Sequence, residues 1–281
     1  MRTLQLEDVT LRYPGTDARP ALDQVTLEAE AGRVHWLCGP LGAGCTTLLM
    51  AAAGLAPRYT GGELTGRTEL LGTDTQAPDA PARLAGRVAF VTASPALQLS
   101  GIAETVFGEV AFAPANLGWP VARIEAQVGS ALDRLGVGHL AERDPRHLSG
   151  GETQRVVLAA MLALEPEAWL IDEAGSALDP AGRRLLGELM TSECRRGALV
   201  IVASEDVEAM AAVADRLVVL GGGRIAADDE PRVLLAHEAA WALGIGSTDT
   251  AELARAAARA GGHTAEPHPL TVDEGLARWS R

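Results

Sequence analysis

The chain contains no lysine, because all 24 of its basic residues are arginine. Acidic residues number 37, which gives a formal net charge of −13 at pH 7 with histidine neutral. Binding to nucleic acid or to an anionic membrane surface requires clustered lysine and arginine. The charge balance therefore argues against both kinds of direct partner, and no nucleic acid is expected to bind.

Cysteine and long hydrophobic runs are also scarce. The cysteines Cys38, Cys45 and Cys194 show neither a metal-binding spacing nor an even disulfide framework, which favours a reducing cytosol. The segment Met1–Asp8 is polar and alternating, so no signal peptide is expected there. The longest apolar run, Val156–Leu164, is far shorter than the roughly 20 residues that a membrane span requires. Any contact with a membrane is therefore expected to go through a partner.

A glycine-rich stretch follows a short apolar run early in the chain. It comprises Gly39, Pro40, Leu41, Gly42, Ala43, Gly44, Cys45, Thr46 and Thr47. In the pattern G-x-x-x-x-G-K-[ST], backbone N–H groups cradle phosphate, the lysine reaches the β and γ oxygens, and the hydroxyl faces Mg²⁺. Here Cys45 occupies the lysine position. Considered alone, the stretch could be a tight turn. If it is a phosphate loop, it predicts a site that keeps the groups that bind a nucleotide but is impaired in hydrolysis.

The predicted elements around this stretch support a phosphate loop, because a strand precedes it and a helix follows it. Strands are predicted over Thr3–Tyr13, Val25–Glu30, Arg33–Cys38, Arg87–Val91, Ala168–Ile171, Ala198–Ala203, Arg216–Leu220 and Arg224–Ala227. Helices are predicted over Thr46–Ala53, Val121–Leu135, Gly150–Leu164, Pro180–Glu193 and Val207–Val213. The segment Thr92–Pro120 is predicted to be irregular. This alternation indicates an α/β fold with a mostly parallel sheet covered on both faces.

Two carboxylates, Asp172 and Glu173, follow the strand predicted at Ala168–Ile171. In phosphate-loop proteins an aspartate at this point holds Mg²⁺, and a following carboxylate can orient the attacking water. An acidic pair at a strand end can also belong to an ordinary turn. The phosphate loop upstream favours the metal-binding and catalytic roles.

The residues Leu148, Ser149, Gly150, Gly151 and Glu152 open a predicted helix, where backbone N–H groups and the helix dipole attract anions. This stretch resembles the LSGG signature of ATP-binding cassette (ABC) ATPases, with Glu152 replacing the commoner glutamine. The resemblance implies a P-loop NTPase fold with an α-helical signature region at about 93–160, and binding of ATP with Mg²⁺. It also implies that the signature serves the γ-phosphate of ATP held by a second subunit.

Two further positions are similar to this family. The stretch Ser176-Ala177-Leu178-Asp179 resembles the D-loop, which crosses the dimer interface and would include Asp179. Tyr13 lies where an aromatic ring stacks on adenine in the family. The alternative for Tyr13 is a core tyrosine at the end of a strand.

The subfamily is indicated by the stretch 105–120 and by the tail. Both are similar to the ATPases of energy-coupling factor (ECF) transporters and of the related cobalt/nickel importers; the tail segments are 243–245, a helix over Thr250–Ala260, and 269–276. The resemblance implies an ATPase domain over 1–235 and a dimer-contacting extension over 236–281. It also implies an integral membrane scaffold and a substrate-binding component as partners, at the cytoplasmic face of the membrane.

Three positions depart from the family pattern. Cys45 replaces the phosphate lysine, Ala93 occupies the position of the Q-loop glutamine, and Glu205 occupies that of the switch histidine. Each change alone could be harmless, but all three affect the γ-phosphate end of this chain's own site. The signature residues and Asp179 are kept. We therefore predict a heterodimer in which a partner ATPase carries out hydrolysis and this chain supplies the signature.

The leading hypothesis is an ATP-binding importer subunit whose own site hydrolyses poorly. The alternatives are a regulatory or scaffolding pseudo-ATPase outside transport, and an active homodimeric ATPase. Two hypotheses concern Cys45. A thiol at a helix N-terminus can have a lowered pKa and act as a redox switch, for example with Cys38; the favoured alternative is that Cys45 is an inert replacement of the lysine.

Overall fold

The structure is a computed structural model that describes residues 3–15, 19–173, 175, 178–236, 242, 244–259 and 269–279. Strands β1 to β10 span Thr3–Arg12, Leu22–Glu30, Val34–Cys38, Glu63–Leu70, Thr73–Asp74, Val88–Val91, Ala168–Asp172, Leu199–Ala203, Arg216–Gly221 and Arg224–Asp229. Helices α1 to α10 span Cys45–Ala52, Ala80–Leu84, Val106–Asn116, Val121–Arg134, Gly150–Leu162, Pro180–Arg195, Val207–Ala211, Pro231–Ala236, Asp249–Arg259 and Val272–Trp279.

The larger sheet has the strand order β10-β9-β3-β8-β7-β6. The strands β9, β3, β8, β7 and β6 are parallel to one another, and β10 pairs with β9 in the antiparallel sense. Every residue of β3, β7 and β8 is buried. Continuous burial is typical of parallel strands covered on both faces. The predicted α/β fold with a mostly parallel sheet is confirmed.

Alternate residues of these strands enter two separate cores, because successive side chains point to opposite faces of a sheet. Trp36 and Trp169 belong to the core that includes residues of helices α3 to α6. Leu37 and Leu170 belong to the core that includes α1 and the second sheet. The loop between β3 and α1 therefore leaves the sheet at a point where both cores fix the backbone.

The second sheet is antiparallel, with the order β2-β1-β4-β5. The sequence predicted strands at β1 and β2 but assigned no structure to Glu63–Leu70 or Thr73–Asp74. It also gave no sign that β1 and β2 lie outside the parallel sheet. Strand pairing over more than 50 residues of sequence is a tertiary property, as in the contact of Leu4 with Leu70, so local patterns cannot specify it.

The expectation that Thr92–Pro120 is irregular was wrong, since helix α3 spans Val106–Asn116 within it. The Thr105 side chain caps this helix by accepting a hydrogen bond from the Gly108 backbone N–H at 3.0 Å. Burial of Val106 and Val110 against the helical core stabilises the helix. A glycine and Pro114 lower the local helix propensity and so concealed it from the sequence pattern.

The C-terminal part contains three described helices, α8, α9 and α10. The helix predicted over Thr250–Ala260 corresponds to α9, which spans Asp249–Arg259. Residues 243 and 260–268 lie outside the described residues, so part of the predicted extension is not placed. Every helix of the described chain is too short or too polar to cross a bilayer.

Candidate functional site

The glycine-rich loop joins the carboxyl end of β3 to the start of α1. A Cβ atom at Gly39 would collide with the carbonyl oxygen of Leu220 and would lie 2.8 Å from the Cβ of Ala43. Gly44 has a φ of +110°, and a Cβ there would lie 2.7 Å from the carbonyl oxygen of Ala21. Glycine is therefore required at both positions by close backbone approach and, at Gly44, by the left-handed conformation.

The loop is fixed by backbone hydrogen bonds and presents uncapped donors. The Ala43 N–H donates to Pro40 O at 2.8 Å, and the Gly223 N–H donates to Ala43 O at 3.1 Å. The N-cap of α1 is Gly44, which supplies no side-chain cap. The first-turn N–H groups of a helix have no acceptor within the helix. This end of α1 is consequently suited to an anion such as phosphate.

Thr46 and Asp172 meet beside this loop although 126 residues separate them in sequence. The Thr46 hydroxyl donates to Asp172 Oδ1 at 3.0 Å. Burial raises the pKa of Asp172, and the Thr46 hydrogen bond opposes that shift. A hydroxyl and a carboxylate are hard oxygen ligands of the kind Mg²⁺ prefers, together with phosphate and water. The two residues predicted to hold Mg²⁺ therefore fit the ion in chemistry and in position.

Glu173 and Glu205 lie together at the ends of β7 and β8. The Glu205 backbone N–H donates to Glu173 Oε1 at 2.9 Å. Burial raises the pKa of Glu173; the hydrogen bond from residue 205 opposes the shift, and the nearby charges of Glu205 and Asp172 add to it. The Glu205 side chain itself is exposed. The structure thus places two carboxylates where the family pattern has one carboxylate and a histidine.

The pKa values of the Cys38 and Cys45 thiols are raised, whereas a redox switch needs a thiol with a lowered pKa. Burial raises the pKa of Cys45 to about 12, and the neighbouring Cys38, Asp172 and Glu173 contribute in the same direction. Burial likewise raises the pKa of Cys38 to about 11. The redox-switch hypothesis, which needs a pKa lowered by the helix N-terminus, is contradicted, because desolvation and the adjacent carboxylates raise the pKa instead. The favoured alternative, an inert replacement of the lysine, agrees with this direction. A raised pKa disfavours the thiolate, which is the nucleophilic form of cysteine.

A cleft of about 230 Å³ lies over the loop. It is lined by the loop residues 39–47 and by Asp172, Glu173 and Glu205. No arginine or histidine is among the described residues that line it. Three carboxylates therefore face the cleft, and no side chain among its described lining residues carries a positive charge. Leu41, at the tip of the loop, is almost fully exposed.

The signature-like stretch lies elsewhere in the chain. Ser149 caps α5 in a capping box, in which its Oγ accepts from the Glu152 backbone N–H at 3.4 Å. The Ser149 backbone N–H and hydroxyl donate to Glu152 Oε2 at 2.7 Å and 2.8 Å. These two bonds lower the pKa of Glu152. Leu148 packs against the helical core. The described cleft-lining residues include none from 148–152, so the signature-like stretch does not contribute to this chain's own cleft.

The fold agrees with comparisons with known proteins. Residues 22–176 match the family described as ABC transporter. The chain belongs to the ABC transporter family. It is 39% identical to a nickel import ATP-binding protein of Rhodobacter capsulatus over 84% of this chain and 92% of that protein. It is 36% identical to an energy-coupling factor transporter ATP-binding protein of Symbiobacterium thermophilum, over 94% and 90% of the two chains.

A solved structure shows the same fold. It is cbiO1 from Clostridium perfringens, described as part of the ABC transporter complex cbiONQ. The TM-score is 0.72 over 90% of this chain and 93% of that one, at 24% sequence identity. The predicted membership of the ABC family and the P-loop NTPase fold are confirmed.

Of the remaining residues singled out by the ABC resemblance, Tyr13 lies beside the phosphate loop, whereas Asp179 and Ala93 lie outside the described cleft lining. Tyr13 is half-buried, and its hydroxyl donates to Thr47 Oγ1 at 3.2 Å, so it lies beside the loop helix. Asp179 caps α6 by accepting from the Gly182 N–H at 2.7 Å; residues 176 and 177 of the predicted D-loop lie outside the described residues. Ala93 is exposed on the loop after β6 and is absent from the described cleft lining.

Two structural features near the site were missed by the sequence analysis. The Gln98 amide bridges the end of β6, since its Oε1 accepts from Thr92 N at 2.8 Å and its Nε2 donates to Phe90 O at 2.7 Å. The glycine turn after β9 supports the phosphate loop through Gly223. The run of three glycines at 221–223 was the only sequence signal for the second feature.

Proposed function

We propose that this chain is the ATP-binding subunit of an importer of the energy-coupling factor or nickel/cobalt type. The similarity to two relatives so described, each over more than four fifths of this chain, supports the importer class. The phosphate loop, with its uncapped helix start and the Thr46–Asp172 pair, supports binding of ATP with Mg²⁺.

The chemistry of the cleft divides into parts that are kept and parts that are lost. Backbone N–H groups of the loop bind phosphate, Thr46 and Asp172 hold Mg²⁺, and the Tyr13 ring is beside the adenine. The bound metal would supply charge neutralisation between phosphate oxygens. Loss of one preorganised charge-stabilising group typically lowers a rate about 10²–10³-fold. Cys45 and Glu205 together remove two such groups, and Glu173 alone cannot hold the γ-phosphate.

The groups that this chain would give to a second subunit are kept. Ser149 caps α5, and the N–H groups of Gly150 and Gly151 belong to the first turn of that helix. Asp179 caps α6. A partner subunit with a complete phosphate loop would bind ATP, and the signature of this chain would complete that partner's site. We therefore assign a heterodimer with one impaired and one functional site, with the partner's loop carrying hydrolysis and the extension 236–281 contributing to dimer contact.

The heterodimer would be attached to the cytoplasmic face of the membrane through its partners. Those partners are an integral membrane scaffold and a substrate-binding component. The transported solute would contact those chains and not this one.

The assignment is tested by steady-state ATP hydrolysis of this chain alone and with a second ABC ATPase subunit that has a complete phosphate loop. The chain alone is expected to be inactive and the mixture active. In the mixture, Ser149→Ala should lower turnover about 10²-fold or more through loss of a γ-phosphate contact. Glu173→Gln should change it less than about twofold, because this chain's own site does not supply the rate.

Thr105→Ala is the matched control for Ser149→Ala, since it removes a helix N-cap of similar type at α3, outside the site. Both variants lose about 1 kcal/mol of cap stabilisation, but only Ser149→Ala should stop turnover. Strong inhibition by Glu173→Gln, or brisk hydrolysis by this chain alone, would contradict the assignment.

A second candidate is a regulatory or scaffolding pseudo-ATPase outside transport. The observation that favours it is Ala93, which places only a methyl group on the exposed loop where the family has a coupling glutamine. Co-purification of the chain with integral membrane proteins from detergent-solubilised membranes supports transport. Recovery only in the aqueous fraction, without such partners, supports the second candidate.

A further inference from the structure

The cleft has two ends with different chemistry. At one end, the uncapped start of α1 and the Thr46–Asp172 pair offer N–H groups and hard oxygens. At the other end, the Glu205 backbone N–H donates to Glu173 Oε1 at 2.9 Å, and both residues line the cleft. The lysine of a phosphate loop would reach the β and γ oxygens between these ends, and Cys45 contributes no charge there.

The phosphates of a nucleotide would lie in different surroundings at these two ends of the cleft. The phosphates nearest the loop receive N–H donors, and all of those donors are kept in this chain. A third phosphate lies where the lysine, the water-orienting carboxylate and residue 205 act in the family pattern. In this chain it would meet Cys45 in place of the lysine, together with two acidic side chains, and no arginine or histidine is among the described residues of the lining.

We propose that this cleft takes a nucleoside diphosphate in preference to the triphosphate. The inference rests on the proposed nucleotide-binding function and deepens it. The terminal phosphate of a triphosphate adds negative charge at the end of the cleft that Glu173 and Glu205 line, where the lysine of the family pattern is replaced by Cys45. A charge-assisted hydrogen bond typically improves binding about 10- to 100-fold, and that improvement is absent here. The site would then hold a nucleoside diphosphate while the partner's site hydrolyses ATP.

The preference is measured by isothermal titration calorimetry on the full chain with Mg²⁺–ADP and with the Mg²⁺ complex of the non-hydrolysable analogue AMP-PNP. Free Mg²⁺ and salt are kept equal. The diphosphate is expected to bind more tightly by a factor on the order of 10, as one extra charge facing nearby carboxylates implies. Equal affinities, tighter binding of AMP-PNP, or binding of neither nucleotide would overturn the preference.

Glu205→Gln identifies the source of the preference. The bond from residue 205 to Glu173 is donated by the backbone, so this substitution removes the charge and leaves that contact in place. The ratio of the two affinities should fall severalfold towards 1. Glu188→Gln is the control, because Glu188 is an exposed residue of α6 outside the cleft lining and its substitution makes the same change in net charge. An equal effect of both variants would overturn the local explanation.

The two proposals fail in different ways. Tighter binding of AMP-PNP by a chain that does not hydrolyse ATP would overturn the diphosphate preference and leave the heterodimer assignment standing. Hydrolysis of ATP by the chain alone would overturn the assignment itself.

Discussion

At the scale of single residues, His35 is an ionisable side chain buried in β3, the strand that leads into the phosphate loop. It lies in β3, is 2% exposed, and its Nε2 is 2.8 Å from Glu30 O. Nδ1 has no hydrogen-bond partner among the described residues. Because a carbonyl oxygen only accepts, Nε2 carries the proton of the neutral ring. A second proton on Nδ1 would be a buried donor without an acceptor.

Acid should therefore destabilise the fold through His35. Burial lowers its pKa, as do the charges of Arg216 and Arg33, while the Glu30 bond and Asp215 oppose the shift. A folded pKa below the unfolded value of about 6.5 means that the unfolded chain binds more protons below that pH. The stability present above about pH 6.5 is then lost as pH falls, by up to about 1.4 kcal/mol per pH unit until the folded pKa is reached.

The measurement is urea unfolding of the full chain from pH 7.5 to 5.5. His35→Leu should be less stable at pH 7.5, because Glu30 O loses its donor, but should show a shallower fall in free energy of unfolding with acid. His139→Gln, at an exposed position, is the control and should retain the slope of the original chain. An unchanged slope in His35→Leu would contradict the explanation.

At the scale of secondary-structure elements, a buried carboxylate joins the helical region to the core. Glu193 of α6 is 1% exposed. Its Oε1 accepts from Arg134 Nη2 of α4 at 2.9 Å, and its Oε2 accepts from Arg196 Nη1 at 3.2 Å. Arg134 also donates to Ser192 Oγ at 3.0 Å. The end of α4 is thereby fixed against α6, in the same helical layer that contains α5 and the signature.

Removing one arginine from this group should destabilise the chain more than removing a surface arginine. Arg134→Met leaves Glu193 buried with half of its partners, so we expect a loss of about 1–3 kcal/mol in the free energy of unfolding. Arg67→Met, which breaks the exposed pairs with Glu7 and Glu69, should lose less than about 1 kcal/mol. Urea unfolding of both variants gives the comparison, and equal losses would show that the buried group has no special weight.

At the scale of the whole molecule, the C-terminal helices carry apolar side chains into solvent. Leu253 of α9 and Val272 and Leu276 of α10 are exposed, whereas Ala251 and Leu270 belong to the main core. The extension is therefore attached to the ATPase core on one side and has apolar residues available on the other. This arrangement is consistent with the proposed contact to a second ATPase subunit.

Charge at these exposed apolar positions should weaken subunit association. Leu276→Asp is expected to lower the affinity for the partner ATPase by about 10-fold, because a desolvated carboxylate without a partner opposes burial of the surface. Sedimentation velocity of the mixed subunits gives the affinity. Leu97→Asp, at an exposed residue of the loop region after β6, is the control and should leave it unchanged. Unaltered association of Leu276→Asp would remove the extension from the interface.

The sequence determined the features that neighbouring residues encode. Glycine at 39 and 44 specified the loop, and Ser149 with Glu152 specified the helix start, because backbone conformation and capping depend on residues a few positions apart. The motif positions also identified the family.

Only the tertiary structure decided features that depend on burial and on distant pairing. The meeting of Thr46 with Asp172 and of Glu205 with Glu173, the placement of β1 in a separate antiparallel sheet, and helix α3 all require contacts between remote segments. The neutral state of Cys45 is the clearest case. The helix N-terminus visible in the sequence predicts a lowered pKa, but desolvation by the surrounding fold raises it, and desolvation is a property of packing.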